Sequence, residues 1–216
     1  VGSSAFGNFS NATSSNATAI GGGGVPGSFQ GAQALADGAT AIGGNNTKGA
    51  IASGKNATAI SGESQATGEN AIAIGLGAQA TAKDTISIGT GNVVSGQGSG
   101  AIGDPTTITG SGTYSVGNNN GTIDATNSGV FGNNNTITGA LDGVRVIGNT
   151  NTVTASGAMV MGNSATVSAA DGVALGSNTS VTQVGGVALG SGSVANTAAG
   201  IAGYVPPNAT AAQSAA

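Results

Sequence analysis

The sequence predicts an all-β chain wound as a parallel β-roll, a solenoid of about 12 fourteen-residue coils. Three observations point there. A short apolar segment closed by Gly recurs along all 216 residues, 42 glycines are spread through the chain, and two sets of apolar positions keep strand periodicity.

The recurrence comes first. Thr18-Ala19-Ile20-Gly21, Thr40-Ala41-Ile42-Gly43, Thr58-Ala59-Ile60-Ser61, Ile72-Ala73-Ile74-Gly75 and Ile86-Ser87-Ile88-Gly89 open the series. It continues at Gly103, Gly117, Gly132, Gly148, Gly162, Gly176 and Gly190. The steps between these anchors are 22, 18, 14, 14, 14, 14, 15, 16, 14, 14 and 14, so fourteen is the period. The longer steps read as loop insertions: Gly22 to Ser28 around Val25-Pro26, Gly44-Asn45-Asn46, and one or two residues after Gly117 and Gly132.

The glycines decide the element type. Each Gly inside a helix costs about 1 kcal/mol relative to Ala, and Gly recurs too regularly along the chain for a helical architecture to be expected. Fourteen residues are too few for a βαβ unit but suffice for two short strands and two tight turns. A Gly anchor fits a turn residue with φ > 0. Ser61 breaks that rule, and another turn geometry is expected there. The residues that follow, Asn118, Asn133, Asn149 and Asn163, are turn formers that would stack as an amide ladder along one edge.

The strand before the anchor has two columns. The residue just before Gly is Ile, Val, Phe, Met or Leu in every coil, and the residue two before it is Ala, Ser or Val. Adjacent strand residues point to opposite faces, so both faces of this strand are apolar or small, as in a strand covered on both sides. The second strand alternates. Five residues after the anchor come Ala66, Ala80, Val94, Ile108, Ile137, Val153, Val167, Val181 and Ala195, with Ala34 and Ala52 in the same column. Their neighbours Thr107, Thr109, Thr136, Thr138, Thr152, Thr154, Thr166 and Thr182 face water.

One wet strand and one doubly apolar strand imply a partner, because the roll interior covers only one face of the latter. Parallel identical chains in a closed ring supply the other cover, and three is the smallest ring with a central axis. The expected trimer-interface column is Ile42, Ile60, Ile74, Ile88, Ile102, Ile147, Leu175 and Leu189, with Ile74→Ser expected to lower trimer stability more than Ala73→Ser. The candidate outward binding column is the eight Thr just named.

Gly172-Val-Ala-Leu-Gly176, Gly186-Val-Ala-Leu-Gly190-Ser-Gly-Ser-Val-Ala195 and Asn70-Ala-Ile-Ala-Ile-Gly75 resemble the head repeats of YadA-like trimeric autotransporter adhesins. The resemblance implies a left-handed β-roll, three chains intertwined or side by side as a homotrimer. It also implies a bacterial cell-surface location, anchored to the outer membrane through C-terminal parts outside this sequence, and a role in adhesion and virulence. Ligands implied are host matrix glycoproteins, collagen-like or fibronectin-like, and other cells or surfaces. Residues 1–15 then form a lead-in or first partial coil, 16–200 the head repeats, and 201–216 a truncated segment toward neck and stalk. Starting at Val1 and stopping in Ala-Gln-Ser-Ala-Ala, the chain reads as a piece of something longer.

Composition excludes other classes. With no Cys and no His there is no thiolate nucleophile, no Ser-His triad and no zinc set of the usual kind, and no catalytic residue, metal ligand or cofactor is expected. Four basic residues against eight acidic give a net charge of −4, no footprint for nucleic acid. No apolar run approaches the roughly 18 residues of a membrane span, so the fragment is not expected to insert directly. Two other readings share the roll: an ice-binding solenoid using the Thr-x-Thr units at 107–109, 136–138 and 152–154, and a structural trimeric fibre. Arg145 and Tyr114 stand three before an anchor, where each must reach an edge or a partner chain; Arg145 is placed to pair with Asp142.

Overall fold

The computed structural model describes residues 2–23 and 31–198. Among them there is no helix, and every strand has two or three residues. The pre-anchor strands stack in one 13-stranded parallel sheet running from Ser4–Phe6 to Val187–Leu189. The post-anchor strands form the opposite wall as two sheets, eight strands from Asn11–Ala12 to Gly121–Ile123 and five from Thr136–Ile137 to Val194–Ala195. The roll therefore has about 13 turns rather than 12. Ser4-Ala5-Phe6-Gly7 is one more copy of the repeat, fourteen residues before Gly21, and Ala5 pairs with Ala19.

Register follows the period. Ile60, Ile74, Ile88 and Ile102 are direct partners across successive coils. Four columns point inward: positions four and two before the anchor from the long sheet, and three and five after it from the split wall. In the Gly75 coil these are Ala71, Ala73, Ala78 and Ala80, all fully buried. The first half of the core is an alanine cluster from Ala17 to Ala80, while the second half carries Val and Ile, such as Val146, Val153, Val160 and Val167. The larger side chains need room, and Gly172 supplies it: a Cβ there would sit 2.8 Å from Val167 and 2.9 Å from Val181.

Left-handed backbone recurs at three positions: the anchor, the residue five before it and, in most coils, the residue two after it, as at Asn119, Asn134 and Thr150 (φ +56° to +58°). The anchors Gly7 to Gly190 have φ between +97° and +159°, and a Cβ at Gly75 or Gly117 would overlap the carbonyl of the next coil. Ser61 does not adopt another geometry. It keeps φ +92°, because its N–H is held to Ile42 O at 2.8 Å, as the anchors from Gly21 to Gly190 are each held to the coil before. The second position, five before the anchor, is Gly, Asn or Asp in all twelve coils from Asn16 to Gly185, with φ from +48° to +70°. Those residue types enter this region at least steric cost.

The insertions lie where the period lengthens. Asn45 closes the loop after Gly43 by accepting the N–H groups of Thr47 and Lys48, both at 2.8 Å. The extra residue of the Gly117 coil is Gly121 (φ +65°), the first residue of its second strand, and the two extra residues of the Gly132 coil fall between Ile137 and Gly143. Between these coils the split wall is interrupted. The insertion around Val25-Pro26 and the segment expected to lead toward a neck lie outside the described residues.

Candidate functional site

The molecule offers two outward faces of opposite character. On the long sheet the alternation that buries Ala19, Ala41, Ala59 and Ala73 turns the residues one and three before each anchor outward. Within this chain Ile42, Ile60, Ile74, Ile88 and Leu175 are half-buried by their neighbours in the stack, whereas Ile102, Ile147 and Leu189 are exposed. Phe6, Phe131, Met159, Met161 and Val187 extend the same face. The outer side of the strand is thus open in the single chain; its column one before the anchor is apolar throughout, and its column three before is apolar or Gly except at Ser4, Thr18, Thr40, Thr58 and Arg145.

Tyr114 lies on this face between Gly100 and Gly129, its register partners. Its ring fills the space above Gly100, where a Cβ would come within 2.8 Å of it. Arg145 does not pair with Asp142. Its Nη1 donates to the carbonyls of Asn127 and Val144, so the guanidinium is drawn toward the turn backbone. The Asp142 carboxylate instead accepts Asn127 Nδ2 and Thr126 Oγ1, each at 2.8 Å. Those two bonds, with the Arg145 charge contributing less, hold its carboxyl below the usual carboxylate range. The ion pair among the described residues is Lys83–Glu69 at 3.5 Å, on the surface.

The split wall presents hydroxyls and amides. Thr136, Thr152, Thr166 and Ser180 are register partners in one file, and Thr138, Thr154, Ser168 and Thr182 form a second beside it. Thr109, Thr136, Thr138, Thr154, Thr166 and Thr182 are exposed, while Thr107 and Thr152 are half-buried. The array spans the later coils, since Gln33, Gln65 and Gln79 hold the corresponding positions earlier. Its hydroxyls can take part in hydrogen bonds as donors and acceptors, which suits contact with a polar surface and equally suits water.

The edge ladder is present. Asn118 N–H donates to Asn133 Oδ1 (2.8 Å), Asn133 N–H to Asn149 Oδ1 (2.9 Å) and Asn149 N–H to Asn163 Oδ1 (2.9 Å). A second file runs inside the roll, three residues after the anchor: Asn92, Asn120, Asn135 and Asn151, all buried. Asn120, Asn135 and Asn151 each donate Nδ2 to the next anchor's carbonyl at 2.8 to 2.9 Å. Sequence reasoning missed this file, although the triplets Asn118-Asn119-Asn120 and Asn133-Asn134-Asn135 carry its signal. The first Asn of each stacks on the edge, the second takes φ near +57°, and the third turns inward.

No group of three or more His, Cys, Asp or Glu among the described residues is placed to hold a metal. Among the same residues no helix is long and apolar enough to cross a membrane.

No curated protein matches the chain. The family model described as YadA head domain repeat (2 copies) matches residues 1–23, 30–46, 52–78, 66–92 and 147–179, together just over half of the sequence. A parallel roll built on this repeat, matched by that model across both its halves, belongs to the YadA head domain repeat family, whose members are adhesin-type head domains.

Proposed function

We propose that the chain is the non-catalytic head of a bacterial cell-surface adhesin, acting as a homotrimer and attaching the cell to host matrix glycoproteins, other cells or surfaces. The observation that carries this reading is the division of the two faces. On the long sheet the outward column one before the anchor is apolar from Phe6 to Leu189, and soluble monomers rarely leave so long a contiguous apolar strip in water. Parallel copies in a ring cover it with Ile42, Ile60, Ile74, Ile88, Ile102, Ile147, Leu175 and Leu189 at the contact, and each side chain fully covered adds about 1.5–3 kcal/mol. The split wall then stays in water with its Thr files available to ligands.

Absolute mass in solution tests the assembly. A value near three times 19.8 kDa is expected, and a folded species at 19.8 kDa overturns it. Binding of the assembled head to immobilised collagen and fibronectin tests the adhesive role, with loss on replacing Thr136, Thr138, Thr152 and Thr154 by Glu as the expected result. The in-register hydroxyls of Thr136, Thr152 and Thr166 also suit an ice-binding solenoid. Thermal hysteresis in a chain that remains monomeric would favour that reading.

A further inference from the structure

A regular repeat supplies a long contact face but leaves its alignment open. On the outward face of the long sheet the residue just before the anchor is Ile in six successive coils, Ile20, Ile42, Ile60, Ile74, Ile88 and Ile102, each in register with the next. Coils rise by about 4.8 Å. A neighbouring copy displaced by one coil therefore still sets Ile against Ile at five of these six levels. Uniform strands specify their register weakly for this reason. Farther along, the face stops being uniform. Its two outward columns exchange size from coil to coil: Gly100 stands beside Ile102, Tyr114 beside Val116, and Gly129 beside Phe131. The packing follows this exchange. The Tyr114 ring lies where a Cβ on Gly100 would meet it at 2.8 Å, and Phe131 Cε2 lies 3.5 Å from a Cβ position on Gly129. Both rings remain about half exposed in the single chain, Tyr114 at 45% and Phe131 at 49%.

We propose that this stretch sets the axial register of the assembled chains, with a second copy of the chain as its partner and Tyr114 and Phe131 as the determinants. It rests on the reading that parallel copies pack through the long sheet. A second copy suits the face because its coils rise by the same step, so contact is kept over the whole length from Phe6 to Leu189. In a ring of parallel chains each contact is heterologous. The column three before the anchor on one chain then meets the column one before it on the next. At equal levels Tyr114 meets Val116, Gly100 meets Ile102 and Gly129 meets Phe131, a larger residue against a smaller one each time. A displacement of one coil in one direction sets Tyr114 against Phe131 and crowds two rings. In the other direction Gly129 faces Val116, and the space that Phe131 filled is left empty. Crowding and voids both cost stability, so one register is preferred over its neighbours by the difference.

The chain has no Cys, so single thiols placed in the uniform stretch report the register. Two differently tagged chains are co-expressed, one carrying Ile72→Cys and the other Ile74→Cys at the same level, or Ile60→Cys or Ile88→Cys one coil away. Mixed disulfides are scored after mild oxidation, and absolute mass in solution is read on the same samples. With Tyr114 and Phe131 in place, the same-level pair should exceed either displaced pair by about tenfold or more. Tyr114→Ile with Phe131→Ile evens the face and should bring the displaced pairs within about threefold of the same-level pair in a protein that still has the trimer mass. Val116→Phe, which sets a ring against Tyr114 at equal level, should lower the same-level pair by about threefold or more. A trimer whose evened variant keeps the original preference overturns the proposal alone, as does a same-level pair unchanged in Val116→Phe or equal yields of all pairs at the outset. A mass of one chain with no mixed disulfide overturns the assembly reading, and this proposal with it.

Discussion

The side-chain oxygen of Asn120 accepts the backbone N–H of Asn135 at 2.9 Å, joining two coils whose adjacent second strands share no backbone hydrogen bond. Asn120 also donates Nδ2 to Gly132 O at 2.8 Å and to Ser115 Oγ at 3.1 Å. Buried side-chain amides thus bridge the interruption in the ladder, flanked by the backbone bonds from Asn134 N–H to Asn118 O at 3.0 Å and from Thr126 N–H to Leu141 O at 2.8 Å. Asn120→Ala removes these bonds and leaves buried groups without partners, a loss of about 2–3 kcal/mol. Asn149→Ala, in the exposed edge ladder, should cost under about 0.5 kcal/mol because water replaces its partner. Denaturant melts of the two variants measure the contrast, and equal losses would refute it.

The inner file has one break. Thr106 occupies the same inward position between Asn92 and Asn120, and its N–H is held by Asn92 Oδ1 at 2.7 Å. Its Oγ1 is the one buried side-chain polar atom without a partner among the described residues. An Asn at this position can pass the chain on, to the Asn120 N–H and the Gly117 carbonyl. Thr106→Asn should therefore stabilise the protein by about 1 kcal/mol, seen as a higher midpoint at unchanged m-value. A destabilised Thr106→Asn together with a neutral Thr106→Val would show that the gap is steric rather than polar.

Ser61 is the simplest case of a residue at odds with its backbone. At φ +92° an L-residue is strained by roughly 1–2 kcal/mol, which Gly avoids at the expense of more unfolded-state entropy. Ser61→Gly should gain about 1 kcal/mol, and the reciprocal Gly75→Ser should lose more, because its Cβ overlaps Gly89. Thermal unfolding of both reads the signs directly.

Much of this architecture is legible in the residues. The Gly anchors reveal the period, and Ala80 marks an inward column by its alternation with polar neighbours; for Ala73 and Ile74 alternation leaves the faces open, and only the narrow interior of a fourteen-residue coil favours the small residue inside. Other features were hidden by chemistry that serves two purposes. Asn120 and Asn135 look like turn residues because their neighbours Asn118 and Asn133 are. Asn70 and Asp84 pass for solvated loop residues, although their positive φ closes the second turn of each coil. Ser61 looked like a change of turn because side-chain preference was weighed without the inter-coil hydrogen bond that overrides it. For the surfaces, apolar side chains of Ile102 and Ile147 announce a contact, whereas a Thr hydroxyl suits a solvated strand and a bound ligand alike.

Volume is matched across the later core. Gly172 holds an inward position that is Ala158 one coil earlier, and it faces Val167 and Val181 at distances no Cβ tolerates. Gly172→Ala should lose about 1–3 kcal/mol by overpacking. Adding Val181→Ala should restore part of that loss, so the double variant is more stable than the two single effects added. Strict additivity in a double-mutant cycle would mean that the strain is relieved elsewhere.

The same geometry separates assembly from folding. Ala73 is fully buried inside the roll, while Ile74 beside it is half-buried on the outer face and pairs only with Ile60 and Ile88 along the stack. If copies of the chain pack through this face, Ile74→Ser takes about 2 kcal/mol of apolar contact from each subunit of the assembly and little from the isolated roll. Ala73→Ser places a hydroxyl in an alanine-lined interior and acts on the roll itself. Analytical ultracentrifugation should therefore show Ile74→Ser dissociating at higher protein concentration than the parent, with the monomer's circular dichroism retained. Ala73→Ser should leave the dissociation constant within about threefold and lower the unfolding midpoint instead. The reverse ranking would place the subunit contact on another face.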